Sequence, residues 1–404
     1  MTRTILFLMS DTGGGHRAAC EAIAEAVHHL YPGQFRTIIE DIWTHRTPWP
    51  INRLPKTYPW LTGPGLPVWK AMWACSSRLP LHRLVPPLLA PLLANRMVAF
   101  LAQVRPDVVV SAHPLMNHLT IRWLRRAGMT CPLVTVITDM VAVHPLWVCP
   151  DVSLCLTPTD EARQTALHYG LPPDRVVVCG QPVRLGFSRP AADRETLRQR
   201  LGFQAGKPLV LLVGGGEGFG PLDKIARGLN RCTGIQMAVV CGRNQALKAR
   251  LDAARWDIPV RIFGFVHNMP ELMTAADLLV TKAGPGMLAE AFIAGTPVLI
   301  YGFIPGQETD NVHYVLRHRA GLYVDTPEAI AAQVQALFRP GNPTLAEMAG
   351  NAARLARPNA SLEIARQICA LAPPVPAEGD DVLRRLQRGM RSRLRSFARR
   401  VAVR

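Results

Sequence analysis

The sequence has no C-x-x-C pair, and its nine cysteines are scattered at positions 20, 75, 131, 149, 155, 179, 232, 241 and 369. That spacing excludes the usual zinc arrangements, and the odd count predicts reduced thiols in a cytosolic compartment. Acidic residues are scarce as well: 29 Asp and Glu face 46 Lys and Arg, for a net charge of +17. An excess of that size predicts an anionic partner, whether nucleic acid, an anionic membrane surface or a phosphorylated substrate. A long hydrophobic run is missing too. The stretch from Met1 to Ser10 carries one basic residue and a short apolar run before Asp11, so no signal peptide is expected. Leu84 to Ala94 is apolar but holds Pro86, Pro87 and Pro91, and the expectation is that no segment crosses a membrane.

What the sequence does have is a repeated alternation of strand and helix signals. With 404 residues, 49% of them apolar, two or three domains can each bury a core. Residues 4–10 read as a buried strand, 17–30 as a helix and 36–42 as a second strand, with further strands at 107–111, 133–138, 152–157 and 176–179. Residues 186–203 are polar and read as a linker. The alternation then restarts with strands at 208–213, 236–241, 260–263, 278–281 and 297–301. Such alternation argues for parallel sheets covered on both faces, here two doubly wound α/β domains facing a cleft. The expected limits are 1–185 for the first and 206–372 for the second. Residues 43–97 depart from the pattern: they are rich in Pro and contain Trp43, Trp49, Trp60, Trp69 and Trp73, five of the chain's eight tryptophans.

Two glycine turns carry the candidate chemistry. In Thr12-Gly-Gly-Gly-His16, glycines between strand and helix let backbone approach a ligand, and a helix N-terminus favours negative charge. The run is not G-x-G-x-x-G, which disfavours a nicotinamide cofactor. His16 falls in the first helical turn, where the dipole keeps an imidazole neutral; it reads either as a general base on an alcohol or as a capping or packing side chain. In Thr281-Lys-Ala-Gly284-Pro-Gly286, Lys282, Gly284 and Gly286 suit a diphosphate, and Glu290 lies where a carboxylate can accept both hydroxyls of a ribose. Gln307, Glu308 and Asn311 follow the next strand and suit the hydroxyls of a hexose, or else form an N-capping loop of turn residues.

The runs Asp11-Thr-Gly-Gly-Gly-His-Arg-Ala18, Val136-Ile-Thr-Asp-Met-Val-Ala-Val-His-Pro-Leu-Trp147, Gly214-Gly-Gly-Glu-Gly218 and Gly306-Gln-Glu-Thr-Asp-Asn311 occur in one chain, in that order. Together they resemble the monogalactosyldiacylglycerol synthase family, which includes bacterial diacylglycerol glucosyltransferases. The resemblance runs from about residue 4 to 370 and implies a GT-B fold, with a lipid acceptor on the first domain and a UDP-sugar mostly on the second. It implies His16 as the base and Asp139 as its orienting carboxylate. Gly15, Gly216 and Gly218 would face the diphosphate, Phe265 and Val266 the uracil, Glu290 the ribose, and Gln307, Glu308 and Asn311 the sugar. Thr309-Asp310 and Gly302-Phe303 depart from the family's pattern around the Gln-Glu pair and leave the hexose open.

The activity so implied is an inverting transfer of galactose or glucose from UDP-galactose or UDP-glucose to diacylglycerol. No Asp-x-Asp occurs, so no metal and no further cofactor are expected, the diphosphate being met by helix N-termini. The rivals are a UDP-N-acetylglucosamine epimerase of the same fold, the N-acetylglucosamine transferase acting on a lipid-linked precursor, and a nucleic-acid-binding protein, for which no motif is present. For the membrane, residues 382–404 hold nine arginines and no acid, with apolar residues at 383, 386, 390, 394, 397 and 401. This is the pattern of a basic interfacial helix, with Arg391 and Arg395 facing anionic lipid, or of a solvated tail. Trp60, Trp69 and Trp147 are the other expected acceptor or membrane contacts, with ordinary core packing as the alternative. The expected location is peripheral, on the cytoplasmic face of a membrane.

Overall fold

The computed structural model describes residues 2–79, 81–188 and 192–374, the side chains of 81–85 aside. The expected tail helix at 382–404, with Arg391 and Arg395, lies outside the described residues. Twelve strands are described: β1 (Arg3–Met9), β2 (Phe35–Asp41), β3 (Val108–Ser111), β4 (Leu133–Val136), β5 (Leu154–Thr157), β6 (Val176–Val178), β7 (Leu209–Val213), β8 (Gln236–Val240), β9 (Val260–Phe263), β10 (Leu278–Lys282), β11 (Val298–Gly302) and β12 (Gly321–Tyr323). They form two six-stranded sheets in the orders β2-β1-β3-β4-β5-β6 and β12-β11-β10-β7-β8-β9. All pairs are parallel.

The reason is visible in β1 and β7, which are apolar on both faces. Leu6 and Leu8 enter one core layer while Ile5, Phe7 and Met9 enter another. Likewise Leu209, Leu211 and Val213 face one layer of the second sheet, and Val210 and Leu212 the other. A strand without a polar face needs helices on both sides, and that requires parallel crossovers. In the first sheet the strand order reverses between β1 and β3, and in the second between β10 and β7. Ligands bind at the carboxyl ends of strands at such a reversal.

Three features differ from the expectation. The short β12 closes the second sheet. The helix Leu81–Val104 runs 24 residues through Pro86, Pro87 and Pro91, longer than the apolar stretch from Leu84 to Ala94, which by itself is too short to span a bilayer. By length and composition its Pro86–Val104 part is long and apolar enough to cross a membrane. One face of that helix is core, however: Leu93, Met97 and Leu101 are buried, and the Trp123 indole N–H donates to the Ala90 carbonyl at 3.0 Å. Finally, the helix Ala360–Ala370, placed by sequence in the second domain, packs on the first. Ile364, Ala365 and Ile368 share a core with Ile5, Phe7 and Ile23. The Ser361 hydroxyl donates to the Val183 carbonyl at 2.6 Å and accepts the Val183 N–H at 2.9 Å.

Candidate functional site

The cleft lies between the carboxyl ends of the two sheets. On the first side, Gly13 and Gly14 carry the chain from β1 into the helix Gly15–Leu30 with φ of 72° and 79°. Gly13 is doubly constrained, because a Cβ there would also stand 3.1 Å from the Tyr58 ring. The turn delivers His16 to the cleft, half-buried, with Nδ1 2.9 Å from the Thr138 hydroxyl. Burial lowers its pKa to about 4, opposed by the Asp11 charge and by a hydrogen bond with the Ala112 backbone. The imidazole is therefore neutral as expected, though burial rather than the helix dipole is the main cause. His113 meets it edge-on at 5.2 Å and is itself held well below the usual range by burial and by His16.

Asp139 does not orient His16 as the sequence reading expected. Thr138, its neighbour, takes that place at Nδ1, because successive residues leaving a strand point to opposite sides. The Asp139 carboxylate instead accepts the Trp147 indole N–H at 2.6 Å. Burial raises its pKa to about 6, against the Trp147 bond and the nearby Gln307 side chain, with Glu308 adding to the rise. Trp147 is likewise corrected: its ring is wholly buried in the first core and cannot face a bilayer.

On the second side, the turn after β7 holds Gly216 and Gly218, while Lys282 ends β10 and leads through Gly284 into a helix whose first turn holds Gly286. Gly284 caps the helix Pro285–Ala294, and the space beside Gly286 is open. Lys282 Nζ lies 2.5 Å from Glu308 Oε1, while Glu308 Oε2 accepts the Ile304 N–H at 2.8 Å. Glu308 is thus buried and doubly held. Glu290 is half-buried, and burial raises its pKa to about 8, with Arg184 opposing. Phe265 is exposed and Val266 packs partly on the second core. Asn311 lies 1% exposed and donates to the Ala283 carbonyl at 2.9 Å. It therefore shapes the Lys282–Gly284 turn and does not present its amide to a sugar, the position expected of it.

The Trp/Pro-rich segment folds as helices Leu54–Leu61 and Leu66–Arg78, which have two faces. The inner face closes on the sugar-loop candidates of the other half. The Tyr58 hydroxyl donates to Gln307 Oε1 at 3.3 Å, and the Trp69 indole N–H donates to the Pro305 carbonyl at 3.1 Å. Trp73 lies so close to Gly306 that a Cβ there would stand 2.4 Å from its ring. Trp69, expected at the membrane, thus faces the cleft. Trp60, by contrast, is 54% exposed, and Trp49, Leu88 and Leu92 more so. Trp43 is core.

Residues absent from the sequence reading complete the cleft: Tyr58, His113, Thr138 and Arg243. Arg243 follows β8, pairs with Glu217 at 2.6 Å and lies over the Phe265 ring at 4.6 Å. None of the four lies in a glycine turn. What could have singled them out is position just past a strand's carboxyl end, which Thr138, His113 and Arg243 share.

Comparison with known proteins follows the same division. A family model described as "Monogalactosyldiacylglycerol (MGDG) synthase" matches residues 16–183. The "Glycosyltransferase family 28 C-terminal domain" matches residues 209–364. Among curated relatives, the chloroplastic monogalactosyldiacylglycerol synthase of Spinacia oleracea is 39% identical over 377 residues, covering 91% of this chain and 72% of that protein. Monogalactosyldiacylglycerol synthase 1 of Arabidopsis thaliana is 39% identical over 373 residues, covering 90% and 70%. Among solved structures, MurG of Acinetobacter baumannii superposes with a TM-score of 0.58 at 18% identity, over 91% of this chain and 99% of that one. The MnaA–UDP structure of S. aureus gives 0.60 at 12% identity, over 93% and 99%. These two share the fold, which is GT-B.

Proposed function

The chain belongs to the monogalactosyldiacylglycerol synthase family, and from that premise we propose that it transfers galactose from UDP-galactose to the free hydroxyl of 1,2-diacylglycerol, with inversion. The observations that carry the reading are two hydrogen bonds across the cleft, from the Tyr58 hydroxyl to Gln307 Oε1 at 3.3 Å and from the Trp69 indole N–H to the Pro305 carbonyl at 3.1 Å. They favour one site shared by the His16 side of the first half and the Gln307–Glu308 pair of the second. Galactose is favoured over glucose because the relatives reported above bear its name.

In this mechanism the acceptor hydroxyl gives its proton to neutral His16. Its oxygen attacks the anomeric carbon from the face opposite the diphosphate. The bond from that carbon to the diphosphate oxygen breaks, the electron pair leaves with UDP, and an α-linked donor gives a β-linked lipid. The leaving diphosphate is met by backbone N–H groups at the helix Pro285–Ala294 and by Lys282, so no divalent ion is invoked. Glu290 accepts the ribose hydroxyls, and Gln307 and Glu308 hold the sugar once the donor displaces Tyr58 and Lys282.

We place the enzyme on a membrane surface, where its acceptor resides. No Asp or Glu occurs between Asp41 and Asp107, a stretch that carries eight Lys and Arg. The exposed Trp49, Trp60, Leu88 and Leu92 lie in that same stretch. Apolar groups among cations fit an anionic bilayer. The test is purified enzyme offered UDP-galactose and UDP-glucose with diacylglycerol, products being read by mass and by anomeric configuration. A β-galactosyl product formed equally in EDTA is expected. A glucosyl product would correct the donor, an α-linkage would exclude single displacement, and loss in EDTA restored by magnesium would overturn the leaving-group argument.

A further inference from the structure

Among the described residues, Lys282, Arg184 and Arg243 are cations near the cleft whose surroundings differ. Lys282 is held by buried Glu308, and Arg184 pairs with Glu21 at 3.4 Å. Arg243 is in another position. A Cβ on Gly14 of the first half would stand 4.0 Å from its NH1, and one on Gly216 of the second half 3.7 Å. Its guanidinium therefore lies where the two glycine turns approach each other. The backbone fixes it there, because the Arg243 N–H donates to the Gly216 carbonyl at 2.9 Å. Its side chain stays 53% exposed, paired with Glu217, which is 33% exposed.

We propose that Arg243 is a further side chain, beside Lys282, that binds the diphosphate of the nucleotide donor, taking it in exchange for Glu217. The inference deepens the UDP-sugar reading and rests on it. The two glycine turns bring backbone close to this point, and a guanidinium fork matches two diphosphate oxygens at once. An ion pair as exposed as Arg243–Glu217 contributes little, so its exchange for a doubly charged ligand is favourable. The stacking of the guanidinium on Phe265 fixes the plane of the fork while the partner changes. During transfer the same contact meets the charge that grows on the leaving UDP.

The test is calorimetric titration of the full chain with uridine, UMP and UDP, comparing wild type with Arg243→Ala and Arg243→Lys. In Arg243→Ala the affinity for UDP is expected to fall about 10- to 100-fold, the range for a charged hydrogen-bonded pair, while uridine binds as before. Arg243→Lys, keeping the charge without the fork, is expected to recover part of the loss. Should Arg243→Ala fail to fold, Arg243→Gln is read in the same way. Equal losses for uridine and UDP would overturn the proposal and assign Arg243 to the base through Phe265. Unchanged UDP affinity in a folded variant would remove it from the site. A wild-type chain that binds neither uridine nor UDP would sink the donor reading itself, and with it this one.

Discussion

His16 poses a question of basicity at the scale of one residue. Burial lowers its pKa to about 4, which keeps it neutral at pH 7 but makes it a weak proton acceptor. A diphosphate entering the cleft adds negative charge, and negative charge favours the imidazolium. The His16 pKa is therefore expected to rise on UDP binding, read as a shift of its ring-proton titration by NMR. No movement would mean that the diphosphate lies elsewhere. In the same frame His16→Ala should lower kcat by a factor of about 10² to 10⁴ while UDP affinity stays near wild type. Near-normal turnover would reduce His16 to a packing group.

Asp139 titrates in the opposite sense. Its pKa is raised from 3.8 to about 6, so the carboxylate that accepts from Trp147 is lost as pH falls through 6. With it goes the negative charge beside Gln307, and kcat/KM should show an acid limb near pH 6. In Asp139→Asn that limb should vanish, at a lower plateau. A limb that persists in the variant belongs to another group. For stability the sign is separate: a raised acid contributes most below 3.8, and its contribution is lost as pH rises through 6. None of this was legible in the sequence, because the environment of Asp139 is set by Trp147 and by the approach of Gln307 and Glu308, 168 and 169 positions on, whereas local pattern shows only that it follows a strand.

At the scale of elements, legibility tracked hydrophobic patterning. β1 and β7 are runs of apolar residues next to glycine turns, and period and punctuation together fix their place. β12 has three residues and no such run, and the helix Leu81–Val104 was hidden by prolines that usually end helices. The paired helices at 54–78 are the instructive case. Their tryptophans signalled an interface, but sequence could not say which face each served, since Trp60 and Trp69 sit on successive helices in similar apolar surroundings. The structure now separates two roles. Replacing the outward Trp49 and Trp60 by Ser should weaken binding to anionic vesicles severalfold and leave activity on detergent-dispersed acceptor intact. Gly306→Ala, which drives a methyl into Trp73, should instead raise the KM for UDP-galactose without changing vesicle binding. If both variants moved the same readout, the two faces would not be functionally distinct.

At the scale of the whole molecule, the chain returns to where it began. The helix Ala360–Ala370 fills the first core from the end of the second half, and Ile364 and Ile368 are essentially inaccessible there. Burying each such side chain contributes roughly 1.5–3 kcal/mol, and two of them amount to a large share of a typical stability of about 5–15 kcal/mol. Residues 382–404 have a different character in sequence: nine arginines, no acid and apolar residues three and four apart. Two truncations should therefore diverge sharply. A chain ending at residue 374 should melt close to the full chain and bind UDP. It should lose part of its affinity for anionic vesicles, and added salt should reproduce that loss, since such attraction is screened over about 8–10 Å. A chain ending at residue 358 should lose its cooperative melt, because the face of the helix Gly15–Leu30 that carries His16 at its first turn would be left uncovered. If that shorter chain still melted cooperatively and bound UDP, the returning helix would be an accessory to the first half, and the two halves would be held in register by the contacts that remain, among them Tyr58–Gln307, Trp69–Pro305 and Arg317–Glu161.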